Sequence, residues 1–216
     1  MKFGFLAGIL ALTIASSARA VVITDVEFAG PGPIYIISDN VPGYGADTFY
    51  DDALVLTALD GTKYYVNCDD LVHNITIGSG QHIDYTVGKV DSNFRGGVYT
   101  VAQIGEMAYL DKVLNQIIIK GGPNEAVDLA AEQAASWIVS NPDVTFSVDP
   151  VIQSRTDYYI KSAEGKTGTI AQFTDLGNGA QGQTLGAVPE ISTWVMILVG
   201  FGGVGVALRK RRATLI

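Results

Sequence analysis

Cysteine occurs once in the 216 residues, as Cys68, and histidine only twice, as His73 and His82. A single cysteine excludes an internal disulfide framework, and its spacing to the two histidines matches no strong zinc pattern. Basic residues are scarce away from the ends: residues 21–190 hold 22 Asp and Glu against eight Lys and Arg, a net charge of −14. Such a surface repels nucleic acid and anionic lipid, so no nucleic-acid partner is expected. No loop has EF-hand spacing, and Asp51-Asp52, Asp69-Asp70 and Asp91, all near turns, read as solvated carboxylates. Gly30-Pro31-Gly32-Pro33 and Arg95-Gly96-Gly97 read as turns, because neither joins a strand to a helix in the order a phosphate loop requires. No metal and no cofactor is expected.

The two ends carry what long apolar runs there are. Lys2, an apolar stretch from Phe3 to Ile14 and the small residues Ala15 to Ala20 follow the order of a secretory signal, with cleavage expected after Ala20. The stretch is too short to span ~30 Å of hydrocarbon, which opposes the alternative of a permanent N-terminal anchor. At the other end stand Pro189-Glu190, Trp194, an uncharged run from Val195 to Leu208, and then Arg209-Lys210-Arg211-Arg212. Ile191 to Leu208 is a marginal transmembrane helix, with Trp194 as interfacial anchor and the basic cluster as a positive-inside stop. This three-part tail, residues 188–216, resembles the PEP-CTERM sorting signal of Gram-negative bacteria. The resemblance implies an exosortase-type processing enzyme as partner, a membrane segment before processing, and a final place at the cell envelope or outside the cell.

Between the ends, residues 21–187 have the size of one domain. From Val21 to Val101, β-rich runs alternate with turn residues, and Asp60-Gly61 between two apolar runs signals a hairpin. Strands are expected at Val22-Ile23, Ile34–Ile37, Ala53–Ala58, Lys63–Val66, Ile75–Ile77 and Ile83–Val87, with Gly78-Ser79-Gly80 as a turn. The period then changes. Met107, Leu110, Leu114, Ile117 and Ile118 share one helical face, and Val127, Ala130, Ala134, Trp137 and Ile138 share another. Strands are expected again at Val144–Val148 and Asp157–Ile160. The stretch 164–187, rich in Gly, Thr and Gln, reads as a last strand and a spacer. The expected fold is mainly β: an antiparallel sandwich or partial barrel over residues 21–163, with a helical pair inserted at 104–140.

A lone cysteine in an exported chain faces oxidation and calls for an explanation. Four are open: a buried core thiol, an intermolecular disulfide, a nucleophile or ligand paired with histidine, or a covalent bond to something other than sulfur. Asp69 and Asp70 oppose thiolate formation, which counts against a permanently activated nucleophile of a thiol hydrolase.

The segment Cys68-Asp69-Asp70-Leu71-Val72-His73 resembles the C-x-D-L-x-H segment of thioester-domain proteins that carry PEP-CTERM tails. Ala131-Glu132-Gln133-Ala134-Ala135-Ser136-Trp137 resembles the Q-x-A-x-W helical motif of the same family, although Asn67 and Ser136 stand where that family has apolar residues. The resemblance implies an internal thioester between Cys68 and Gln133, supported by Trp137, His73 and Asp70, and covalent adhesion to an amine-bearing surface or matrix polymer. It implies a single-turnover attachment and not an enzyme. At about 100° per residue Gln133 falls near Trp137 at the edge of the apolar stripe, so its amide is expected to face the seam between helix and sheet. The competing reading is a structural envelope or biofilm-matrix protein of the same fold. There Gln133 would be hydrogen-bonded to a strand, and Cys68 would be a buried thiol.

Overall fold

The computed structural model describes residues 19–30, 34–41, 45–71, 73, 75–89, 97–175 and 181–186. The expected signal, apart from Arg19 and Ala20, and the whole expected sorting tail lie outside these residues. Among the described residues no helix is long and apolar enough to cross a membrane.

Among the described residues nine strands and three helices follow in order: β1 Arg19–Phe28, β2 Ile34–Val41, β3 Gly45–Asp51, β4 Leu54–Ala58, β5 Lys63–Cys68, β6 Gly78–Lys89, α1 Val101–Lys120, α2 Glu125–Ser140, β7 Phe146–Ser147, α3 Pro150–Ala163, β8 Ile170–Asp175 and β9 Gln183–Gly186. Six strands close into an antiparallel barrel in the order β1-β4-β5-β9-β8-β6, and β3-β2-β7 form a separate three-stranded sheet. Closure removes the two open edges that a sandwich sheet would leave.

The barrel core follows the period of two. Leu54, Leu56 and Ala58 alternate inward on β4, and meet Val21, Ile23, Val26, Val66, Ile83, Tyr85 and Phe173. Phe173 sits edge-on to both Tyr64 and Tyr85, at 5.2 and 5.7 Å between ring centroids. The β4–β5 hairpin turns at Asp60-Gly61 as expected, where Gly61 takes φ +82, a conformation that glycine adopts without steric cost.

A second core lies among the helices and includes Met107, Leu110, Leu114, Leu129, Ala130, Ile152 and Tyr159. Helix α1 starts on a capping box in which Thr100 and Gln103 satisfy each other's backbone N–H. It approaches the segment before β8 so closely that a Cβ at Gly105 would stand 2.2 Å from the Lys166 carbonyl oxygen, which only glycine accommodates.

Several expected elements differ. Asp157–Ile160 is not a strand but part of α3. The Asp149 side chain accepts the Val151 N–H at 2.8 Å, Pro150 opens the helix, and Ile152, Thr156, Tyr159 and Ala163 form its buried face. Helical spacing and capping outweigh the β-propensity of Tyr158-Tyr159-Ile160. The inserted helices thus number three and not two. Gly78-Ser79-Gly80 is not a turn but opens β6, with Gly78 and Gly80 at positive φ beside a register shift against β1, while Ile75–Ile77 lies outside the strand. The described residues of the stretch from 164 to 187 hold two strands, β8 and β9, and these complete the barrel.

Candidate functional site

The site is built where β5 ends beneath α1 and α2. β5 runs between β4 and β9, with Asn67 opposite Thr184 and Cys68 opposite Gln183. Helix α2 lays Gln133, which is fully buried, across the end of this strand. The Cys68 backbone N–H donates to Gln133 Oε1 at 3.0 Å, and Gln133 Nε2 donates to the Cys68 carbonyl at 2.8 Å. The residue that bears the thiol therefore clamps the glutamine amide at both ends. Both readings of the pair require this juxtaposition.

A dry wall closes the seam. Cys68, Leu71, Ala134, Trp137 and Val144 form one buried cluster, and the Trp137 ring stacks on Phe146 at 5.7 Å. Trp137 thus packs over the Cys68 region from one turn beyond Gln133. The thiol donates to the Asp70 carbonyl at 3.2 Å. Burial pushes its pKa well above the ordinary value, and the Asp69 and Asp70 carboxylates push the same way; hydrogen bonds from Trp137 and at Asp70 act in the opposite direction. A resting thiolate is therefore disfavoured here, which opposes the thiol-hydrolase alternative.

The turn after Cys68 is held by its own side chains. Asp70, fully buried, accepts the His73 backbone N–H at 3.1 Å, approaches His73 Nδ1 at 2.7 Å, and accepts the Gly182 N–H at 3.1 Å. Gln181 Nε2 donates to the Asp70 carbonyl at 3.0 Å. Asp69 accepts hydrogen bonds from the Tyr99 hydroxyl at 3.0 Å and Gln172 Nε2 at 2.8 Å. Burial raises Asp69 to about 7 in spite of these bonds. The expectation of solvated turn carboxylates therefore fails at Asp52, Asp69 and Asp70, which are 4%, 2% and 0% exposed. The loops fold back against β9, β8 and α2 and take these side chains inside. Asp91 lies outside the described residues.

Behind Cys68 stands a group that sequence reasoning did not single out. Asn67 Nδ2 donates to Asp111 Oδ1 on α1 at 2.8 Å and to Glu132 Oε1 on α2 at 3.0 Å. One amide thus ties β5 to both helices, which explains a polar residue in a place that an apolar one could fill. Burial raises Asp111 to about 7 and Glu132 well above the usual carboxylate range, the latter also through the neighbouring Asp111 charge. The available signal was a pair of acidic residues interrupting apolar helix faces: Asp111 between Leu110 and Leu114, and Glu132 between Ala130 and Ala134.

His82 is not brought to the site. It stands exposed on β6, its Nε2 3.6 Å from Asp84 Oδ1, three strands from β5 in either direction around the barrel. Among the described residues no three His, Cys, Asp or Glu side chains are grouped to hold a metal ion. Pro189, Glu190, Trp194, Arg209, Lys210, Arg211 and Arg212 lie outside the described residues.

No protein-family model matches the chain, and no curated protein matches it. Among solved structures the chain is similar to the N-terminal thioester domain of a surface protein from Clostridium perfringens, at 13% identity and a TM-score of 0.46, over 71% of this chain and 99% of that one. It is also similar to the N-terminal domain of the Streptococcus pyogenes pilus tip adhesin Cpa, at 12% identity and a TM-score of 0.43, over 71% and 93% of the two chains. A third is the N-terminal thioester domain of the fibronectin-binding protein SfbI from Streptococcus pyogenes, at 11% identity and a TM-score of 0.41, over 72% and 94%. At these identities and TM-scores the likenesses transfer no function to this chain.

Proposed function

We propose that the chain is an exported bacterial surface protein whose Cys68 and Gln133 join in an internal thioester, used once to attach the protein covalently to an amine-bearing surface or matrix polymer. The observation that carries this reading is the two-point clamp of the Gln133 carboxamide on the backbone of Cys68, in a buried seam under Trp137. In the forming step Cys68 Sγ attacks Gln133 Cδ, the C–N bond breaks, and the thiol proton leaves with the amide nitrogen as ammonia. The Cys68 N–H already points at Gln133 Oε1, where negative charge develops in that step. Exclusion of water limits the competing hydrolysis. A PEP-CTERM tail at 188–216 would deliver the domain to the envelope through an exosortase-type enzyme.

Intact mass of freshly purified protein tests the bond. A thioester makes the chain lighter than its sequence by one ammonia, and methylamine then adds at Gln133 while freeing the Cys68 thiol. Cys68→Ala and Gln133→Ala each abolish the deficit. Full sequence mass in a fresh sample, with no methylamine adduct and no hydrolysed Gln133, would overturn the reading.

One observation favours a second reading, a structural matrix or envelope protein with no bond. Burial and the Asp69 and Asp70 carboxylates disfavour the thiolate, and the thiol is already hydrogen-bonded to the Asp70 carbonyl. Full sequence mass is the result expected from it.

A further inference from the structure

His73 lies five residues after Cys68, and its orienting partner is visible only in the fold. Asp70 holds it by two contacts, through the backbone N–H at 3.1 Å and through Nδ1 at 2.7 Å. The carboxylate itself is fixed from the far side by the Gly182 N–H at 3.1 Å. With Nδ1 committed to Asp70, Nε2 is the ring nitrogen left to exchange protons. The Asp70 side chain is buried, whereas that of His73 is 41% exposed. The backbone carbonyl of the same Asp70 lies 3.2 Å from Cys68 Sγ. One short turn thus connects the buried sulfur, a buried carboxylate and an imidazole at the surface.

Aminolysis of a thioester needs a proton carrier at such a place. The attacking amine nitrogen must lose a proton as its bond to carbon forms, and the departing sulfur must gain one. Resting on the thioester reading above, we propose that Asp70 and His73 form the proton-transfer dyad of that bond. The free amine attacks Gln133 Cδ and His73 Nε2 takes the proton that the nitrogen gives up. The Cδ–Sγ bond breaks, and His73 returns the proton to Cys68 Sγ. The products are an amide at Gln133 and a free thiol at Cys68, with no proton left over. Asp70 acts as a positioning residue, fixing the tautomer and the ring plane, while His73 is the catalytic residue. Among the described residues the other titratable groups facing this turn are Asp69, which accepts from Tyr99 and Gln172, the Tyr99 phenol and Cys68 itself; Gln133 and Trp137 of α2 and Gln181 and Gly182 before β9 carry no charge.

The test follows methylamine addition to the purified protein by intact mass, over time at fixed pH, in wild type, His73→Gln and His73→Ala. The expected result is that both variants keep the ammonia deficit but take up methylamine on the order of 10²-fold more slowly. Added imidazole should restore the His73→Ala rate and leave the His73→Gln rate low. Rescue by imidazole is a readout that loss of folding cannot produce. Variants that carry the deficit and react at the wild-type rate overturn the dyad and leave the thioester standing. Full sequence mass in the wild type overturns the thioester reading, and the dyad falls with it.

Discussion

Raising the pH should destabilise the folded protein, and Asp111 should account for a measurable part of the loss. Burial lifts this carboxyl from 3.8 to about 7, so between those limits the native state keeps a proton that the unfolded chain has released. Where the native state binds more protons, stability falls as pH rises, and the loss is complete above the folded value. A carboxyl displaced this far costs on the order of 4 kcal/mol once ionised. For a domain of this size that corresponds to a fall on the order of 10 °C in melting temperature. Asp52 and Asp69, both raised to about 7, and Glu132 act in the same direction. Asp111→Asn isolates one contribution, because it removes the titration and keeps an oxygen to accept the Asn67 amide. Thermal melts of purified wild type and variant, at fixed ionic strength from about pH 4 to about pH 8, should nearly coincide at the acid end. Toward the alkaline end the variant should melt higher and on a shallower slope. A wild-type profile that is flat or rises across that window would refute the reasoning, as would a variant with an unchanged slope.

Trp137→Ala removes a ring that is 1% exposed and stacked on Phe146, and should cost ~3–5 kcal/mol. Denaturant melts read the cost, a loss within about 0.5 kcal/mol would remove Trp137 from the core, and any thioester should hydrolyse faster in the variant. Deleting Ile191 to Ile216 should shift the exported protein out of membrane-sorting fractions, and unchanged fractionation of that truncation would sink the sorting-tail reading.

The parts of the fold legible in the sequence were those governed by local rules. Asp60-Gly61 turns a hairpin because that dipeptide suits the turn, and the Met107 and Val127 faces became α1 and α2 because their apolar spacing has one solution. Helix α3 was missed although its signals, Asp149-Pro150 and the Ile152–Thr156–Tyr159 face, were also local; three consecutive β-favouring residues masked them. Barrel closure was not legible, since β6–β8 and β5–β9 join residues about a hundred positions apart and no local pattern encodes which edges meet. The candidate site divided in the same way. Cys68 stood out through rarity and Trp137 through helical spacing, whereas Gln133 was picked out by the resemblance of Ala131–Trp137 to a family motif. Asp111 and Glu132 did not, because a carboxyl in an apolar face becomes meaningful only when Asn67 is seen reaching both.

The pairing of β5 with β9 also sets a schedule. Cys68 is made early, yet the strand opposite it, Gln183–Gly186, and the Gln181 and Gly182 contacts to Asp70 come from the last described residues of the chain. Pairings of such long sequence separation form late, because loop closure must precede any gain from the contact. Until β9 docks, Asp70, whose carbonyl accepts the Cys68 thiol, lacks the Gln181 and Gly182 contacts that hold it, and in a chain exported as proposed the thiol would be less firmly held against the sulfenic and sulfinic steps of an oxidising compartment. Survival of the cysteine is thus a race between oxidation and the arrival of the final strand, run once by every molecule. Whatever slows β9 in reaching its place, whether low temperature, a strand-weakening substitution or delayed release from the export machinery, should leave a larger fraction of molecules folded in shape but chemically dead at Cys68.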